Sequence, residues 1–268
     1  MTRTRVPAET RPLRIVKVGN GARRTLRDIV IRESPVTIFL NDVELVTFMC
    51  SPKDLEQLAV GFLYSEGVIK ESADLVDVLA DYDEGVVWVK TKGRKKRVGD
   101  LLSRRLITTG CGRGLSFHDS SLEGKGLRIR SRLKTSAGEL IALMGEFQKR
   151  STLYKLTGGV HSAALCDETG ILVLKEDIGR HSAIDKVLGE SLLRGIRTDD
   201  RILVTSGRIS SEMLIKAARA HIPIVLSKSA PTDLGVGLAK EFGITLVGFV
   251  RGTRMNVYSG TGRISSRA

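Results

Sequence analysis

The 268-residue chain is short of aromatics, cysteine, acid and long apolar runs, and each shortage removes a class of function. Aromatics make up 4% and Trp88 is the sole tryptophan, so the stacking platform on which single-strand and RNA binders hold bases is missing. No apolar stretch approaches the roughly 18 to 20 residues that span a bilayer, and the first residues lack the apolar core of a secretory signal. A cytoplasmic protein with no membrane partner is the expectation. The three cysteines, Cys50, Cys111 and Cys166, are odd in number and widely spaced, which fits neither a disulfide scaffold nor a Cys-x-x-Cys metal pair. Internal repeats and low-complexity linkers are also absent.

What is abundant is positive charge: 43 Lys and Arg against 30 Asp and Glu, a net +13. Arg3, Arg5, Arg11, Arg14, Lys17, Arg23 and Arg24 crowd the start, and residues 92–97 read KGRKKR. Such density suits phosphate-rich partners, but a solvated arm and a charged hairpin tip account for it equally simply. Nucleic acid is not an expected partner. Pro7 and Pro12 interrupt any long amphipathic presequence helix at the start.

Periodicity divides the chain near Lys125 into an α+β part, 1–125, and an α/β part, 126–268. In the first, residues 36–40 and 43–48 read as strands joined by an Asn41-Asp42 turn. Ser51-Pro52-Lys53-Asp54 supplies N-cap chemistry for a helix with Leu55, Leu58, Ala59, Phe62 and Leu63 on one stripe, and Gly67 is placed to end it. Residues 86–90 and 97–101 read as further strands. In the second part a Ser136/Glu139 capping box opens a helix striped by Leu140, Ile141, Leu143, Met144 and Phe147. Strands at 159–166, 171–175, 202–205, 223–227 and 244–250 then alternate with helices at 182–193, 211–220 and 232–242. This predicts βαβ units in a mostly parallel sheet.

In such a sheet the loops leaving the strand carboxyl ends share one rim. Here they read Ser206-Gly207-Arg208-Ile209-Ser210-Ser211, Lys228-Ser229-Ala230-Pro231-Thr232-Asp233 and Arg251-Gly252-Thr253-Arg254, each mixing a cation with small residues and hydroxyls. Two of them lead into helix N-termini, so together they suit a phosphate or pyrophosphate, while any one alone reads as an ordinary cap or turn. His161 and His181 sit beside glycines at element edges, where each reads either as a ligand-orienting acid/base or as a structural group. No metal site is expected, and the His-x-Glu…Pro-Cys-x-x-Cys pattern of zinc deaminases is absent. Cys50 and Cys166 lie in apolar runs and read as small buried hydrophobes. Cys111, in Thr108-Thr109-Gly110-Cys111-Gly112-Arg113-Gly114, has glycine on both sides and a nearby guanidinium that would stabilise a thiolate. A tight turn with an incidental thiol fits those residues as well.

Between Pro35 and Gly260 the chain carries an ordered set of phrases: Phe39-Leu40-Asn41, Leu58-Ala59-Val60-Gly61-Phe62-Leu63 with Glu66-Gly67, Gly158-Gly159-Val160-His161-Ser162-Ala163, Glu176-Asp177-Ile178-Gly179-Arg180-His181, Thr205-Ser206-Gly207-Arg208, Ser229-Ala230-Pro231-Thr232 and Gly248-Phe249-Val250-Arg251-Gly252. Through this set it closely resembles the FdhD family of accessory sulfurtransferases needed for formate dehydrogenase activity. The resemblance implies a C-terminal, cytidine-deaminase-like, three-layer α/β domain, a smaller N-terminal α+β domain ending in the Cys111 loop, and a homodimer.

Chemically the resemblance implies sulfur relay. A cysteine desulfurase loads Cys111 as a persulfide, and the sulfur passes to the bis-molybdopterin guanine dinucleotide cofactor before formate dehydrogenase receives it. Cys111 matches the family's persulfide cysteine. The family's cofactor-binding segment corresponds to Phe249, Val250, Arg251, Gly252, Thr253 and Arg254. Many members carry Cys-x-x-Cys in the sulfur loop, whereas Gly114 stands at the second position here, so an external thiol, a reductant or the acceptor would resolve the persulfide. The other reading is a non-covalent chaperone that binds and delivers the cofactor without moving sulfur.

Overall fold

A computed structural model describes residues 7–92 and 127–265, together with the backbone of 105–107 and 115–117. The expected strand at 97–101, the basic turn before it, the Cys111 loop and the boundary near Lys125 lie outside the described residues.

The chain opens on two long strands, β1 (Thr10–Gly19) and β2 (Ala22–Ile31), paired as an antiparallel ribbon around Asn20-Gly21. Both turn residues have positive φ, 50° and 73°, the conformation a two-residue hairpin demands. The expected solvated arm is therefore a strand pair, with Pro12 opposite Ile29. Its outer end keeps Leu13, Val16 and Val18 exposed.

Next, β3 (Ser34–Leu40) and β4 (Val43–Cys50) form the expected hairpin, with Asn41 and Asp42 at φ 49° and 68°. They continue into a four-stranded sheet of order β4-β3-β6-β5 with β5 (Leu75–Asp81) and β6 (Val86–Thr91). Val36, Ile38 and Leu40 alternate onto one face with Val87 and Val89 and meet helix α1 (Leu55–Ser65). The helix ends as expected, with Gly67 at φ 75° and Val68 N–H donating to the Leu63 carbonyl at 2.8 Å. Its start differs: Asp54 occupies the N-cap with no side-chain cap, and Ser51 turns instead to Asp177 across the molecule. Strands β7 (Arg105–Ile107) and β8 (Leu115–Phe117) pair antiparallel.

After β9 (Thr135–Ser136), helix α2 (Ala137–Arg150) opens with the expected capping box, and the short α3 (Thr152–Thr157) follows. The larger sheet then forms from β10 (His161–Asp167), β11 (Gly170–Asp177), β12 (Ile202–Thr205), β13 (Ile224–Ser227), β14 (Thr245–Arg251) and β15 (Arg254–Ser259), in the order β11-β10-β12-β13-β14-β15. Only β12, β13 and β14 are mutually parallel. The expectation of a mostly parallel sheet is corrected because β10–β11 and β14–β15 are joined by two-residue turns, far too short for the crossover that parallel pairing needs. Helices α4 (Arg180–Leu193), α5 (Ser211–Arg219) and α6 (Asp233–Phe242) pack on one face against Leu165, Leu203, Val225 and Leu246. Leu140, Met144 and Phe147 of α2 cover Ala164, Val204, Leu226 and Val247 on the other. The final β16 (Ile264–Ser265) pairs with β9. No helix among the described residues is long and apolar enough to cross a membrane.

The two halves meet through α1 and α4. A Cβ on Gly61 would lie 1.7 Å from the Asp185 carbonyl oxygen, and one on Gly189 would lie 1.9 Å from that of Gln57. Only glycine permits this backbone contact. It explains why α1 is buried on both sides rather than along one stripe, with Ala59, Val60 and Gly61 inaccessible as well. Buried ion pairs surround the crossing. The wholly buried Lys186 donates to Asp177 Oδ2 at 2.6 Å, to the Ser51 carbonyl at 3.1 Å and to Ser51 Oγ at 3.2 Å. Lys216 donates to Asp185 at 2.8 and 3.0 Å and to Ser65 Oγ at 2.7 Å. Burial alone would depress the Lys216 ammonium, but Asp185 and Glu66 outweigh it and hold the group above its ordinary value.

Gly61→Ala or Gly189→Ala should lower unfolding stability by about 3 kcal/mol or more, read from urea melts. Gly237→Ala, on α6 with open space around it, is the control and should cost nothing or stabilise slightly. Lys186→Met should cost roughly 3–5 kcal/mol in the same assay, because it strands a buried Asp177 charge.

Candidate functional site

Antiparallel pairing of β10 with β12 brings the start of β10, at His161, to the rim where β12, β13 and β14 end. The loops there are stitched by hydroxyls and backbone. Ser227 Oγ donates to the Gly207 carbonyl at 2.7 Å, and Ser229 Oγ to the Ser206 carbonyl at 3.0 Å. Ile209 N–H donates to Ala230 O, and Phe249 N–H to Ser229 O, both at 3.1 Å. Each of these bonds satisfies a polar group that a rim loop would otherwise leave open.

Above this rim lies a cavity of about 740 Å³. The sheet contributes His161, Ser206, Lys228, Ser229 and Arg251, and the end of α2 with α3 contributes Lys149, Tyr154 and Lys155. No carboxylate is among its described lining residues. Lys149, Lys155, Lys228 and Arg251 form no salt bridge among the described residues, although Lys155 Nζ donates to the Lys149 carbonyl at 2.6 Å and Arg251 Nε to the Lys228 carbonyl at 3.3 Å. A concave site of this size with four cations, several hydroxyls and no acid is built for a polyanion.

The sequence-derived segment 249–254 divides in space. Arg251 reaches the cavity, with its guanidinium 5.5 Å from the centre of the Phe249 ring. Phe249 itself sits at φ 52°, an uncommon backbone for a bulky residue, where the β14–β15 register shifts. Val250 is 1% exposed and packs into the core, so its side chain does not face the cavity. Gly252, at φ 57°, and Thr253 make the β14–β15 turn, and Arg254 pairs with Arg251 across it; none of the three lines the cavity.

The two histidines part company. His161 lines the cavity, with Nδ1 3.3 Å from Ser206 Oγ, and burial beside Arg180 and Arg208 holds its imidazole below the usual range. His181, in the first turn of α4, is pushed down to about 3 by burial next to Lys216, Arg180 and His161. Its neutral ring places Nε2 3.2 Å from Glu212 on α5, tying the two helices together outside the cavity. Cys50 and Cys166 are fully buried, and burial drives both thiols up to about 12. Cys111 lies outside the described residues. The sequence reading missed Lys149, Tyr154 and Lys155, because α3 was not anticipated and nothing local aims the end of α2 at the rim.

The FdhD/NarQ family model matches residues 31–265. The chain is 41% identical over 247 residues to the sulfur carrier protein FdhD of Listeria innocua serovar 6a, covering 91% of this chain and 95% of the relative. It is also 41% identical over 244 residues to the protein of that name from Bacillus subtilis strain 168, covering 91% and 93%. The crystal structure of a candidate formate dehydrogenase accessory protein from Desulfotalea psychrophila superimposes with a TM-score of 0.77 at 29% identity, covering 96% of this chain and 99% of that one. These matches span both sheets, the α1–α4 crossing and the cation-lined rim, and the chain belongs to the FdhD/NarQ family.

Proposed function

We propose that this protein is a sulfur carrier in formate dehydrogenase maturation, with Cys111 as the sulfur-bearing nucleophile and the rim cavity as the seat of a guanine nucleotide end of the bis-molybdopterin guanine dinucleotide cargo. The observation that carries the cargo half is the carboxylate-free cavity with Lys149, Lys155, Lys228 and Arg251 around it. A diphosphate accepts charge-assisted hydrogen bonds from such donors, while Tyr154 and the planar guanidinium of Arg251 in the lining offer flat groups on which a base could stack. The sulfur half rests on family membership and on elimination between thiols. Buried and driven up to about 12, Cys50 and Cys166 are poor nucleophiles, which leaves Cys111 in its glycine-flanked sequence.

In the loading step the Cys111 thiolate attacks the outer sulfur of a cysteine desulfurase persulfide. The donor's S–S bond breaks, its cysteine leaves as thiolate, and Cys111 holds the sulfur as a persulfide. For delivery to cargo held at the rim, an external thiol or reductant supplies two electrons, the Cys111 S–S bond breaks, the outer sulfur leaves at the sulfide level to the cargo, and Cys111 returns to thiolate. The same proposal includes a cytoplasmic homodimer, formate dehydrogenase as client, and a cytidine-deaminase-like three-layer arrangement for the C-terminal domain.

Incubation with a cysteine desulfurase and cysteine should add one reducible sulfur to the wild type and none to Cys111→Ser, read by intact mass. In the folded protein at pH 8, iodoacetamide should spare Cys50 and Cys166 and modify them once urea is added. Lys228→Ala or Arg251→Ala should weaken GDP binding about tenfold, as expected for loss of one hydrogen bond to a charged group. If Cys111→Ser still matured formate dehydrogenase and still bound GDP, the non-covalent chaperone would replace the carrier.

A further inference from the structure

Among the cavity's polar groups His161 is the one whose charge can change near neutral pH. Its surroundings come from every neighbouring element. Arg180 and His181 face it from the start of α4, Arg208 from the loop after β12, and Asp177 from the end of β11. Lys149, Lys155, Lys228 and Arg251 share the cavity with it. Asp177 is the single acid in this set, and its charge is already committed to Lys186 at 2.6 Å and to the Gly179 N–H at 2.8 Å.

Hydrogen bonding offers the ring a partner. Ser206 Oγ accepts the Ser162 N–H at 3.0 Å, and its own proton is free to point at His161 Nδ1 at 3.3 Å. With Ser206 as that donor, the neutral imidazole carries its proton on Nε2, which has no hydrogen-bond partner among the described residues. In that tautomer the cavity presents a neutral N–H donor beside its cations.

We infer that His161 is a proton-coupled anion contact: resting on the reading of the cavity as a diphosphate site, binding of the diphosphate draws one proton from solvent onto this imidazole. A diphosphate bound among Lys149, Lys155, Lys228 and Arg251 sets negative oxygens against Nε2, and this attraction opposes the burial and the Arg180 and Arg208 charges that hold the ring down. Protonation puts a hydrogen on Nδ1, which then donates to Ser206 Oγ, and the displaced Ser206 hydroxyl proton swings toward the ligand. Ser206 and His161 thus both become donors to the anion, and no other reactant is consumed. The ring's pKa lies below its ordinary value in the free protein and above it in the complex. Binding must then tighten as pH falls through the interval between the two, by up to about tenfold per pH unit.

GDP-mannose is the appropriate probe, because both its phosphates are esterified and its charge is constant near neutrality. Calorimetric titration of the full chain at pH 7, in buffers of different ionisation enthalpy, should show net proton uptake approaching one. Affinity should fall roughly 25- to 100-fold between pH 6 and pH 8. His161→Gln, which keeps an N–H near the Nε2 position, should still bind but with no proton uptake and a flat pH profile. In the wild type, the His161 ring resonance among the four histidines should titrate at higher pH when GDP-mannose is present. Binding without uptake, uptake unchanged in His161→Gln, or an unmoved His161 titration would each overturn the inference while leaving the cavity's assignment standing. Failure of both GDP and GDP-mannose to bind would overturn the assignment and the inference with it.

Discussion

Helices α1 and α4 cross where neither has a side chain, and the rest of the architecture follows from that crossing. At Gly61 and Gly189 each helix touches the other's backbone, so α1 is enclosed between the small sheet and α4. With all but Glu56, Gln57 and Tyr64 of the helix buried, the polar groups carried inward need partners. Lys216, Asp185, Ser65 and Glu66 satisfy one another on one side, and Lys186, Asp177 and Ser51 on the other. These pairs cost desolvation and add little net stability, but removing one partner would strand a charge in a dry interior. Their effect is to define one relative placement of the two halves.

That placement extends to the rim. Asp177 is the last residue of β11 and stands opposite His161 in the β10–β11 register. It also receives the Gly179 N–H just before α4 begins. The ion pair that ties α4 to β11, with Ser51 ahead of α1 as its third member, therefore also anchors the strand end opposite His161 and the helix start that carries Arg180 and His181. On the far side of the cavity, Glu176 accepts the N–H groups of Leu153 and Tyr154 and so seats α3, with its Tyr154 and Lys155, on the same strand end. One short run, Glu176-Asp177, holds both walls of the site.

Much of the fold was legible because its signals are local. The Asn41-Asp42 turn, the Ser136/Glu139 capping box, the Gly67 helix end, and the helices and strands from Ser182 to Val250 each follow from backbone preferences and periodicity within a few residues. The Asn20-Gly21 ribbon was equally local but was obscured by reading its arginines as a solvated arm instead of following the alternation of Leu13, Ile15, Leu26 and their neighbours. Ser51 is the opposite case. Its Ser-Pro-x-Asp context is good capping chemistry, yet a buried lysine and aspartate more than a hundred residues away offered its hydroxyl and N–H a stronger claim.

The site divides along the same line. The sequence alone determined that cationic, hydroxyl-rich loops leave consecutive strands and that Cys111 is the thiol outside an apolar run, since strand period and loop composition are properties of neighbours along the chain. Only the tertiary structure decided that Val250 turns inward while Arg251 turns out, that His161 joins the cavity while His181 braces two helices, and that Lys149, Tyr154 and Lys155 complete the far wall. The reason is physical. Which side of a strand end meets solvent, and which distant helix lies across it, depend on sheet register and on the glycine crossing, both set by residues far apart in sequence.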